Sequence, residues 1–287
     1  MTARRIGGWT VHTIDAGRMR LDGGSMFGVV PKTLWARKIV PDDRNRIGMG
    51  MRCLLIEHDI GLVLIETGAG NKESAKFHDI YGIENAGADG RTALEAGLAD
   101  AGFRPEDVAL VIDTHLHFDH AGGNTYRDAS GAIRVTFPHA RYVVQAGEYH
   151  YATHTNERTA GSYFNHNFVP VHEAGRLDLI DGEREVVSGI RLIPTPGHTP
   201  HHQGVLLESA GERAFFLADL IPTTVHVPLP WIMGYDVQPL VTLETKRGIL
   251  TRAEAEDWLV CFGHDEHVAW GRVRKGETGF ALAVDAP

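Results

Sequence analysis

The chain has 287 residues, 43% hydrophobic and 23% charged, an ordinary soluble composition with enough length to bury a large core. Its formal net charge of -9 and the lack of any basic run exclude nucleic acid as a partner, because that binding draws on many Lys and Arg contacts to phosphate. The only cysteines, Cys53 and Cys261, each sit in an apolar run and exclude a disulfide framework, and no stretch reaches the length of a membrane span. Arg4 and Arg5 have no apolar segment behind them, so the expected location is cytoplasmic.

Residues 9–14 alternate as a first strand. Residues 23–40 form a long irregular apolar segment carrying Met26, Phe27, Leu34 and Trp35, which either packs on the core or covers a site. Residues 44–50 are polar and glycine-containing and read as a loop. The apolar runs 51–57 and 61–66, joined by a short turn, predict a hairpin. Helices are expected at 72–81 and 92–101, the second with Leu94, Leu98 and Ala101 at helical spacing and Gly102 as its stop. A buried strand follows at 108–112. Directly behind it come His115, His117, Asp119 and His120, in a loop that closes on Gly122 and Gly123. Imidazole and carboxylate together suit zinc, iron, cobalt or manganese, which makes these four residues metal-ligand candidates.

The pattern His-x-His-x-Asp-His at residues 115–120 resembles the signature of the metallo-β-lactamase superfamily at every position. The resemblance implies an α/β fold, a four-layer αββα sandwich with one or two metals between the inner edges of its sheets. No linker or internal repeat divides the chain, so residues 1–287 are expected to form a single domain of two similar halves. Where the superfamily carries Asp-Thr-Gly, whose aspartate braces the metal loop, this chain has Glu66-Thr67-Gly68. Beyond a strand at 141–145 and a helix from 146, His150, His154, His166 and His172 lack ligand spacing and stay outside the ligand set. A strand at 190–195 runs into Pro196-Gly197-His198-Thr199-Pro200, and the resemblance makes His198 the next ligand, with His201 and His202 in supporting or solvent-facing roles. A second hairpin, 203–208 and 213–218, delivers Asp219, the position that bridges two metals in the superfamily. A helix at 238–250 and a strand at 258–262 lead to His264, which matches the final ligand, and residues 267–272 are expected to close the fold.

What the resemblance implies is therefore a pair of divalent ions, zinc first, with iron, cobalt or manganese as alternatives. His115, His117 and His198 would hold one ion, Asp119, His120 and His264 the other, with Asp219 shared. Such a centre hydrolyses esters with a metal-activated hydroxide, and Asp119 is the expected catalytic residue, holding the nucleophile or passing a proton to the leaving group. The motif wording and chain length look most like the quorum-quenching N-acyl homoserine lactonases. An aryl ester or phosphotriester hydrolase is the alternative within the fold, and a non-catalytic metal-binding protein the alternative of another class. Those lactonases carry a tyrosine three residues after the bridging aspartate, where this chain has Pro222, so Tyr235 and His226 are candidates to replace it. Phe27 and Trp231, in the apolar stretches 23–40 and 228–233, are expected to wall the substrate pocket. The partners implied are a small-molecule substrate and, at most, a second copy of the chain in a homodimer.

Overall fold

The structure is a computed structural model that describes residues 2–277 and 279–284. Its first sheet is built from β1 (Thr2–Ile6), β2 (Trp9–Asp22), β3 (Arg46–His58), β4 (Gly61–Ile65) and β5 (Val108–Ile112), with β4 and β5 unbroken apolar runs at its centre. A small ribbon, β6 (Thr125–Arg127) with β7 (Ile133–Val135), precedes β8 (Arg141–Gln145) and β9 (Leu177–Ile180), and the sheet runs in the order β1-β2-β3-β4-β5-β8-β9. The second sheet takes β10 (Arg184–Val187), β11 (Ile190–Pro194), β12 (Gln203–Ser209), β13 (Glu212–Phe216), β14 (Leu259–Cys261), β15 (Trp270–Gly276) and β16 (Gly279–Val284) in chain order.

Both sheets are buried on both faces, which makes four layers. Leu54, Ile56, Val63 and Ile65 of the first sheet meet Leu192, Val205, Leu207 and Phe216 of the second in one apolar layer. The alternate residues Cys53, Leu55, Leu62 and Leu64 turn outward and pack with Leu94 and Leu98 of α4 (Ala93–Asp100). That helix starts on a capping box between Thr92 and Glu95, which satisfies its first free N–H groups. On the far side Leu206, Phe215 and Val260 pack against Ile249, Leu250 and Ala253 of α8 (Pro239–Ala255). No described helix is long and apolar enough to cross a membrane.

Four expectations change. Residues 44–50 are not a loop: β3 begins at Arg46, because Ile47 and Met49 alternate inward while their neighbours stay partly exposed. The first strand continues to Asp22, and the fold does not close at residue 272, since β15 turns back into β16. The segment 23–40 is mixed. It folds into α1 (Gly23–Phe27) and α2 (Lys32–Trp35), burying Met26, Phe27 and Trp35 while Val29 and Val40 stand exposed.

Candidate metal centre

Five strand ends of the two sheets meet at one edge of the sandwich. Glu66 follows β4, the 113–120 loop follows β5, His198 follows β11, Asp219 follows β13 and His264 follows β14. All seven candidate ligands are brought together there. His115, His117 and His198 form one cluster and Asp119, His120 and His264 another, with the ligand atoms of each within 4.8 Å of one another. Asp219 spans the two: its Oδ2 lies 3.1 Å from His198 Nε2 and its Oδ1 2.9 Å from His264 Nε2.

The outer nitrogens of these rings fix which atom faces the centre. His120 Nδ1 lies 3.0 Å from Glu66 Oε2, His198 Nδ1 2.9 Å from Asp236 Oδ1, and His264 Nδ1 2.8 Å from the Gly50 carbonyl. With each Nδ1–H donating outward, the Nε2 lone pairs point inward. There nitrogen faces nitrogen, at 3.0 Å for His264 and His120 and 3.1 Å for His198 Nε2 and His117 Nδ1, while Asp219 Oδ1 is buried without a hydrogen-bond donor. Converging lone pairs and an orphaned carboxylate oxygen are a donor set for cations, so the residues fit divalent metals.

The electrostatics agree. Burial, reinforced by the neighbouring histidines, holds His115 and His117 well below the ordinary imidazole range, in the neutral form that ligates metal. Burial opposes charge on His120 too, but Asp119, Asp219 and Glu66 outweigh it and push its pKa well above the usual value. The carboxylates thus favour positive charge beside His120, while His115 and His117 stay neutral.

Its support comes from residues packed behind the ligands. Glu66 does reach the metal loop despite its extra methylene, accepting from the Thr114 N–H at 3.0 Å as well as meeting His120. It does so with φ of 66°, and Ala218, beside Asp219, has φ of 43°. Left-handed non-glycine residues cost about 1–3 kcal/mol each and persist where the surroundings fix them. Gly122 and Gly123 close the loop because a Cβ at either would run into the carbonyl oxygens of Ala69 and Thr67. The buried Glu148 ties the Leu116 N–H, the Tyr163 hydroxyl and the Thr199 hydroxyl together, at 3.1, 2.8 and 2.6 Å. His202 is buried and accepts from the Asp219 N–H at 3.3 Å, whereas His201 is exposed.

A cavity of about 340 Å³ opens over the centre, with His117, Asp119, His198, Asp219 and His264 on its floor. Met19, Leu21, Met26, Met49 and Met233 supply apolar wall, and Tyr81, Arg158, Ser162 and Tyr235 supply polar wall. Among the four expected substrate contacts only Tyr235 lines it. Burial raises its phenol to about 12, so it remains an O–H donor at neutral pH. The expected roles of the other three are corrected by packing. Phe27 is fully buried between Trp35 and His226, with ring centroids 5.2 and 4.7 Å away. His226 is buried with its nitrogens on the Thr223 hydroxyl and the Met26 carbonyl. Trp231 packs edge-on against Phe27, outside the cavity wall.

Residues 52–264 match the family described as the metallo-beta-lactamase superfamily. An N-acyl homoserine lactonase of Bacillus cereus is 29% identical over 276 residues, covering 92% of this chain and 94% of the relative. The crystal structure of a probable metal-dependent hydrolase from Staphylococcus aureus is similar with a TM-score of 0.86, at 30% identity and over 99% of each chain. An N-acyl homoserine lactone hydrolase with the product N-hexanoyl-L-homoserine bound at its catalytic metal centre gives a TM-score of 0.67 at 26% identity, over 93% of this chain and 95% of that one.

Proposed function

The chain belongs to the metallo-beta-lactamase superfamily, and from that premise we propose that it is a binuclear metal-dependent hydrolase that opens lactones of the N-acyl homoserine type. The observation that carries this reading is the convergence of seven ligand atoms, with Asp219 turned to both clusters, at the floor of an open cavity. That opening leaves room for a substrate beside the ligands, which favours an enzyme over a non-catalytic metal-binding protein. Residues 1–287 act as one domain in this reading, supported by the apolar layer the two sheets share.

His115, His117 and His198 would hold one ion and Asp119, His120 and His264 the second, with Asp219 within reach of both. When bound, the pair supplies Lewis-acid polarisation of the ester carbonyl and acidifies water toward neutral pH. The protein's own groups then set geometry and move the proton. The Tyr235 hydroxyl donates to the substrate carbonyl oxygen, taking the part for which Pro222 has no group. Asp119 lines the cavity with its Oδ2 3.5 Å from His120 Nε2 and 3.6 Å from His264 Nε2, placed to accept a proton from the attacking water and return it to the leaving oxygen. Unbranched methionine side chains in the wall adapt to an acyl chain.

The replacement of the lactonase tyrosine by Pro222 favours a second reading, hydrolysis of aryl esters or phosphotriesters by the same centre. Zinc-loaded protein with measured metal content, assayed on acyl homoserine lactones, aryl esters and a phosphotriester, separates them. Lactones should give the highest kcat/KM. Turnover of phosphotriesters or aryl esters alone selects the second reading, and no turnover at full metal content rejects both.

A further inference from the structure

The cavity wall contains one Lys or Arg side chain, Arg158, in a chain whose acidic residues outnumber its basic ones 37 to 28. It is placed by a fixed turn: the Asn156 side chain accepts from the N–H groups of Arg158 and Thr159, at 3.0 and 3.2 Å, and Thr159 is buried. The guanidinium donates to the Gly234 carbonyl at 2.9 Å, next to Tyr235 in the opposite wall. Among the described residues its side chain makes no other hydrogen bond and no ion pair, whereas Arg18, Arg141 and Arg191 all meet carboxylates. A guanidinium carries five N–H donors in a planar fork suited to carboxylate, and on this exposed side chain the donors not used on Gly234 are free for an anion at the cavity wall.

We propose that Arg158 anchors an anionic group where the substrate carries one, so that among lactones and esters this site favours those with a carboxylate away from the scissile bond over the neutral acyl homoserine lactones. The proposal rests on the hydrolase reading above. It places a single cationic side chain above a floor that carries Asp119 and Asp219, in a protein that is acidic overall.

The zinc-loaded protein is assayed on two para-nitrophenyl esters of equal chain length, the neutral hexanoate and the anionic adipate monoester. The kcat/KM for the anionic ester should be higher by about tenfold, as for an added charge-assisted bidentate contact, and the ratio should fall with salt. Arg158→Gln should collapse the ratio through KM, and Arg158→Lys should keep part of it. A wild-type ratio at or below one overturns the proposal. So does a ratio that Arg158→Gln leaves unchanged, which is what a purely structural strap to Gly234 predicts. If neither ester is hydrolysed, aryl ester turnover fails on its own, and calorimetric binding of the anionic monoamide adipamate against neutral hexanamide decides the anchor: stronger adipamate binding that Arg158→Gln abolishes supports it, and equal binding overturns it.

Discussion

Asp236→Ala should weaken metal binding at one of the two clusters and spare the other. Asp236 and His198 are 3% and 2% exposed, and the bond between Oδ1 and Nδ1 is 2.9 Å. Removing the carboxylate leaves a buried imidazole N–H without its acceptor, at a cost of about 1–3 kcal/mol. Loss of a hydrogen-bond partner behind a metal histidine weakens metal affinity by about 10–100-fold, or about 1.4–2.7 kcal/mol, so the two estimates agree. The loop carrying Asp236 is also tied to the His198 turn through Val237 N–H to the His198 carbonyl and Gln238 N–H to the Gly197 carbonyl, at 3.2 and 3.0 Å. These bonds survive the substitution, which confines the effect to the ring. Competition of zinc against a chromophoric chelator should show one site weakened about 10–100-fold, and Asp236→Asn, which keeps an oxygen acceptor, should fall between. Unchanged zinc affinity, or equal weakening of both sites, would refute the role assigned to this carboxylate.

Purified protein should carry two divalent ions per chain. Asp219→Ala should weaken both and His264→Ala mainly one, as metal analysis after dialysis will show; equal loss of a single ion in both variants would contradict the shared position of Asp219. Phe27→Ala should cost about 3–5 kcal/mol in denaturant unfolding, as for a large core truncation, without altering acyl-chain preference. A changed preference at full stability would return Phe27 to the pocket. Burial pushes Lys72 and Lys246 down to about 7. Between that value and about 10.4 the unfolded chain binds protons that the folded chain does not, so stability should rise with pH across this window and be lost as pH falls toward 7. Denaturation midpoints followed from about pH 7 to about pH 10 should show a shallower rise in Lys72→Met and Lys246→Met than in the wild type.

The sequence by itself determined the chemistry of the centre and most of the sheets. Ligand chemistry is written into local spacing, since His115, His117, Asp119 and His120 alternate directly behind an apolar strand, and apolar runs mark β4, β5 and the second half of β3. What lies around the centre was decided only by tertiary structure. The Asp236 carboxylate meets His198 from 38 residues away, and Glu148 joins three separate segments; neither has a local signal, because a buried polar residue reads in sequence like an exposed one. The aromatic residues show the same limit. Hydrophobicity marks Phe27 and Met26 equally, yet Phe27 stacks between Trp35 and His226 while Met26 contributes to the cavity wall, joined there by Met19 and Met49 from positions the sequence reading left outside any strand. Burial is encoded by residue type, but whether a buried side chain faces a core or a cavity depends on which face of its element a distant segment covers.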